Sequence, residues 1–214
     1  MKPSLFNTVI GILLLFALLS TTSSRHNDLK IMTVTIEIPV SRMGVTLPNE
    51  HVLVDLAPID SVGMKHYNKD SVIAKVLPYF EELKQYKVKT FVDGTSEFMG
   101  RDPQLLAELS RKTGINILTN TGWYASVDDR HLPKGIKDIS AEEIAVVWID
   151  EAKNGIGNTG IKPGLIKIGL NKIQLSETDK KMVAAACLTH FRDRTYDYVV
   201  YRYCSSCDGS TYNS

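Results

Sequence analysis

The sequence predicts an α/β fold, a parallel sheet covered by helices. Three observations carry that reading. Four short apolar runs, His51–Leu56, Thr90–Gly94, Ile115–Thr119 and Gly164–Leu170, read as buried strands. Longer helical patterns with capping signals lie between them. The 214 residues are 43% hydrophobic and 23% charged, which suits one globular domain of roughly 150 residues or somewhat more. The pattern alone leaves two architectures open, a doubly wound open sheet and a closed (β/α)8 barrel.

The elements follow in order. Lys2, the 11-residue apolar run Val9–Leu19 and the small polar stretch Ser20–Ser24 have the layout of a secretory signal peptide over residues 1–24. The run is shorter than the ~20 apolar residues of a membrane span. The expected location is therefore periplasmic or secreted, with the membrane involved only through this segment. From Met32, the residues Val34, Ile36, Ile38 and Val40 alternate with polar ones, the period of a strand in an N-terminal hairpin arm. Ser71–Val88 reads as a helix that Pro78 should kink or restart. Asp102-Pro103 is a helix start and Gly114 a helix stop. Ser140 with Glu143 fits a capping box, Gly155 closes that helix, and Ser176 caps another running to about His190.

Charge and composition exclude several classes. Twenty-five basic against 24 acidic residues give +1, so no basic face for nucleic acid is expected. Three cysteines do not make a disulfide scaffold. No glycine-rich dinucleotide or phosphate loop follows any strand.

In α/β proteins chemistry collects where parallel strands end. Asn49 and His51 share one strand face, with Glu50 turned away. His51 reads either as a metal ligand or as a hydrogen-bonded strand-end histidine. Lys167 sits inside a buried strand, where an amine must be paired, chemically altered or able to reach water. A Schiff-base or general-base amine and a carbamate that ligates metal are the chemical readings. Asp93 suits a structural acceptor. Trp123 and Tyr124 are expected to line a substrate pocket. His66 and His131 fall in loops, and Cys204-x-x-Cys207 is a lone pair with a weak metal or redox signal.

Several ordered segments resemble the phosphotriesterase family of the amidohydrolase superfamily. Gly44–Leu56 (GVTLPNEHVLVDL) is similar to the opening strand, where the family has an H-x-H pair. Thr90–Ser96 (TFVDGTS) resembles the second strand, and Gly100–Leu118 the helix leading into the third. Thr121–Tyr124 (TGWY) and Gly157–Gly169 (GNTGIKPGLIKIG) resemble the third-strand loop and the fourth-strand lysine segment. The likeness covers about Thr33 to His190. It implies a (β/α)8 TIM-barrel fold with two divalent metals, usually zinc, and CO2 held as a carbamate on the bridging lysine. The implied activity is hydrolysis of a small-molecule phosphotriester, lactone or related ester. By the same resemblance His51 matches the second histidine of the pair and Lys167 the bridging lysine. Asn49 replaces the first histidine, and a neutral amide oxygen is a poorer zinc ligand than imidazole.

After His190 the composition shifts. Residues 191–214 hold five of the nine tyrosines and two of the three cysteines, and no Leu, Ala, Glu or Lys. Tyr196–Tyr203 has strand-like content without the histidine that the resemblance implies there. The expectation is a barrel body over residues 32–190, about four β/α units, followed by an atypical tail from a truncation or frameshift. Weak or absent catalysis is expected of such a chain. The alternative is a non-catalytic binding or assembly fragment, completed by a second copy or another chain.

Overall fold

The computed structural model describes residues 29–56, 67–171 and 174–192, together with the backbone of 199–204. The expected signal segment, His66 and Cys207 lie outside the described residues. An N-terminal hairpin pairs β1 (Lys30–Met32) antiparallel with β2 (Glu37–Pro39), Ile31 opposite Ile38. The alternating run from Met32 to Val40 is therefore not one strand. Thr33 Oγ1 donates to Ile36 O and accepts from Ile36 N–H, which folds the middle of that run into a turn.

The body then alternates strand and helix: β3 (Val45–Glu50), α1 (Lys69–Gln85), β4 (Val88–Asp93), α2 (Pro103–Thr113), β5 (Asn116–Leu118), β6 (Asn120–Thr121), α3 (Ala141–Asn154), β7 (Leu165–Leu170), α4 (Glu177–Arg192) and β8 (Val199–Cys204). Pairing runs β3-β4-β5 and β6-β7-β8, parallel throughout. Only Thr119 separates β5 from β6, so one run of chain pairs first with β4 and then with β7. The two ladders make one parallel wall of four strand–helix units and a fifth strand, part of an α/β barrel. The strand-like content of the tail is realised as β8, whose Tyr201 stands in register with Lys167.

The packing side alternates along the strands, as a barrel wall covered on both faces requires. Ile166 and Ile168 pack outward with Trp148, Ile144 and Met182 of α3 and α4. Phe91 and Ile117 pack outward with Leu106 and Leu109 of α2 and Phe80 of α1. Leu165, Val92 and Leu118 pack on the opposite side with Ile31 and Ile38, so the hairpin covers the inner face. Lys167, two residues beyond Leu165, shares that inner face.

The first barrel strand lies earlier than expected, at Val45–Glu50 rather than His51–Leu56. The apolar run beyond it is a strand-end loop. Val52 of this loop lies against the Phe91 cluster, whereas Val54 and Leu56 are exposed. The helix expected over Ser71–Val88 runs from Lys69 through Pro78 to Gln85 as one element, with Ile73 and Phe80 buried. Burial of that face outweighs the lost hydrogen bond at the proline.

The capping signals hold residue by residue. Ser140 and Glu143 form the capping box, and Gly114 ends α2 at φ 72°. Ser176 Oγ accepts from Asp179 N–H at the start of α4. Asp102 accepts from Leu105 N–H at 2.9 Å and from the Tyr67 hydroxyl at 2.5 Å. Asp102→Ala is expected to lower stability by about 1–2 kcal/mol. Urea unfolding reads this, and an unchanged midpoint contradicts it.

Candidate active site

Parallel strands deliver their chemistry at the rim where they end. Three strands converge there around Gly94. A Cβ at that position would stand 3.0 Å from Asn49 Oδ1 and 3.5 Å from both His51 Cε1 and Lys167 Nζ. Glycine thus leaves open the space into which three polar side chains point. These residues line a cleft of about 300 Å³ with Val54, Met99 and Tyr124. Asn49 and His51 share a face, as the strand period requires, although His51 stands just past the end of β3.

Lys167 is 2% exposed, and its Nζ donates to Asn49 Oδ1 at 2.5 Å. Burial pushes its pKa down to about 8, with the Asp93 carboxylate opposing the shift. Asp93 is itself buried and accepts from Val52 N–H at 2.8 Å and Thr95 N–H at 2.9 Å. Burial raises its pKa to about 6, against those two bonds and the Lys167 charge. His51 reaches the solvent side of the cleft, and its Nδ1 lies 2.9 Å from Thr95 Oγ1. Desolvation and then the Lys167 charge hold its pKa below the usual 6.5, which favours the neutral ring.

The structure brings Asn49, His51, Lys167 and Tyr124 together. Tyr124 is placed by its bridge to Gly169, where any Cβ would overlap the tyrosine ring. Trp123 lies apart from them. It is 6% exposed, packs in the outer core against Phe98 and Trp148, and donates Nε1–H to Glu97 at 2.7 Å. It is not among the residues that line the cleft, which Tyr124 faces from its bridge to Gly169. The loop residue His131 is half-buried, with its ring 6.2 Å from that of Tyr124. Asp93 serves as a structural acceptor for Val52 N–H and Thr95 N–H. Gly94, Thr95, Val54 and Met99 escaped the sequence reading, and only their place in or beside strand-end motifs could have signalled them.

Among the described residues no three His, Cys, Asp or Glu side chains come together as a metal cage. The donors at Gly94 are one imidazole, one amide oxygen and one lysine. An imidazole and a carbonyl oxygen around an open cradle fit a divalent cation as one side of its shell.

A polar constellation at the strand-end rim of a partial α/β barrel is the layout of a barrel enzyme. The chain belongs to the phosphotriesterase family, whose pattern matches residues 29–195. It is 31% identical over 151 residues to a phosphotriesterase homology protein of Escherichia coli, covering 69% of this chain and 49% of that protein. It is 30% identical over 148 residues to an aryldialkylphosphatase of Saccharolobus solfataricus, covering 69% and 46% respectively. The organophosphorus hydrolase of Deinococcus radiodurans shares the fold, with a TM-score of 0.72 at 24% identity over 83% of this chain and 54% of that one. The chain spans about half the length of the curated relatives it matches.

Proposed function

We propose that this chain carries one side of a metal-dependent hydrolase site for small-molecule esters, of the phosphotriester or lactone type. The observation that carries this reading is the convergence of Asn49, His51 and Lys167 on the open space at Gly94. Family membership supports hydrolysis, and the aryldialkylphosphatase among the relatives supports a phosphotriester. His51 offers a ring nitrogen as ligand. Lys167, with its lowered pKa, offers an amine that adds to CO2 with loss of one proton. The resulting carbamate turns a potential cation into an anionic donor. A divalent metal bound there supplies Lewis acidity and a lowered pKa for its water. Tyr124, Val54 and Met99 form the wall against which a substrate lies.

Asn49 is the weak member. It is a neutral donor, and its oxygen is already engaged by Lys167. Asn49→His is therefore expected to raise zinc affinity by about tenfold or more. Isothermal titration of both proteins in bicarbonate buffer tests this, and equal affinities count against the assignment. Hydrolysis of an aryl dialkyl phosphate and of a lactone by the zinc-loaded chain, compared with Lys167→Met, tests the activity itself. Turnover equal in the two proteins contradicts the reading.

One observation favours a second reading, a binding or assembly chain. Among the described residues β3 pairs on one edge only, with β4. An open parallel edge is a template for another strand. A stable dimer without metal uptake, seen by light scattering and metal analysis, favours this reading.

A further inference from the structure

We propose that Thr95 is a positioning residue that fixes the tautomer and aim of His51. The hydroxyl of Thr95 is shared between His51 Nδ1 at 2.9 Å and Leu53 O at 3.1 Å. It also interacts with the Asp93 carboxylate. A carbonyl and a carboxylate only accept, so the single hydroxyl proton is directed to one of them. Toward His51 the oxygen accepts, which places the ring proton on Nδ1. Nε2 is then the nitrogen that keeps its lone pair.

The support is built in. Thr95 is 2% exposed, and Asp93 holds both sides of the arrangement, through Val52 N–H next to His51 and through Thr95 N–H. The bonds join the loop after β3 to the loop after β4, across 44 positions of sequence. A ring nitrogen fixed by a hydrogen bond on the other nitrogen is how proteins orient metal-binding histidines. This inference deepens the proposed function and rests on it only for the metal.

The test uses the full chain with Thr95→Val and Thr95→Ser. Long-range ¹H–¹⁵N correlation of His51, assigned with His51→Gln, reports which nitrogen is protonated without any metal. The parent and Thr95→Ser are expected to show the proton on Nδ1, and Thr95→Val a shift toward Nε2. Zinc titration in bicarbonate is expected to weaken about tenfold in Thr95→Val and to recover in Thr95→Ser. A parent ring protonated on Nε2, or a Thr95→Val spectrum equal to the parent's, overturns the inference. If the tautomer follows Thr95 while no protein takes up zinc, the positioning role stands and the metal reading falls.

Discussion

Lys167→Met is expected to weaken divalent-metal binding by more than about tenfold while leaving the fold intact. The two effects separate for a physical reason. The lysine is 2% exposed on the inner face of β7, and methionine fills nearly the same volume without an ionisable group. Burial disfavours the charged amine, a cost that methionine does not carry. Asn49 Oδ1 loses its donor but borders the cleft, where water can replace it. Thermal unfolding is expected to occur at the same temperature or higher. Titration with zinc or cobalt in bicarbonate is expected to show the loss. Unchanged affinity in Lys167→Met removes the lysine from the site. A lost fold instead makes Lys167 a structural residue.

The second large effect concerns stability alone. Arg101 and Glu151 form a forked ion pair, Nη2 to Oε1 at 2.6 Å and Nη1 to Oε2 at 2.9 Å. Their side chains are 3% and 10% exposed. Arg101 also donates to Asn120 O at 2.7 Å, and Thr121 Oγ1 donates to Glu151 at 2.6 Å. The pair thus ties the loop before α2 to β6 and α3. Glu151→Ala leaves a guanidinium buried without its partner and a hydroxyl without its acceptor. The nearby Glu97 carboxylate, 3.7 Å from Arg101, already receives the Trp123 indole N–H. The expected loss is about 3–5 kcal/mol. The contrast is the exposed pair Lys84–Glu81, where Glu81→Ala is expected to change stability by about 1 kcal/mol or less. Urea unfolding of both variants decides it, and a Glu151→Ala loss no larger than that of Glu81→Ala contradicts the role given to the pair.

Local signals in the sequence proved sufficient where the physics is local. Asp102, Gly114, Ser140 and Ser176 act within one turn of their own position, and each does what its spacing predicts. Strand positions depend on partners that the sequence does not display. Hydrophobicity placed a strand at His51–Leu56, whereas the ladder with β4 runs from Val45 to Glu50. In the apolar loop beyond, Val52 packs on the core, Val54 lines the cleft and Leu56 is exposed, and composition does not separate these fates from strand burial. Strand alternation, buried-lysine chemistry and above all the family resemblance single out Asn49, His51 and Lys167, and the structure brings the three together at Gly94. Trp123 and Tyr124 were not separable, since which of two neighbours faces inward is fixed by the bridge between Tyr124 and Gly169. Thr95 carried no mark of its own, because its role exists only through contact with a residue 44 positions away.

In the proposed site Lys167 is a metal-holding lysine modified by CO2. The most direct measurement is ¹³C NMR of the chain incubated with ¹³C-bicarbonate and zinc, beside Lys167→Met under the same conditions. A protein-bound carbamate resonance is expected in the parent, growing with zinc and absent from the variant. A spectrum with no such resonance, or one equally strong in Lys167→Met, contradicts it.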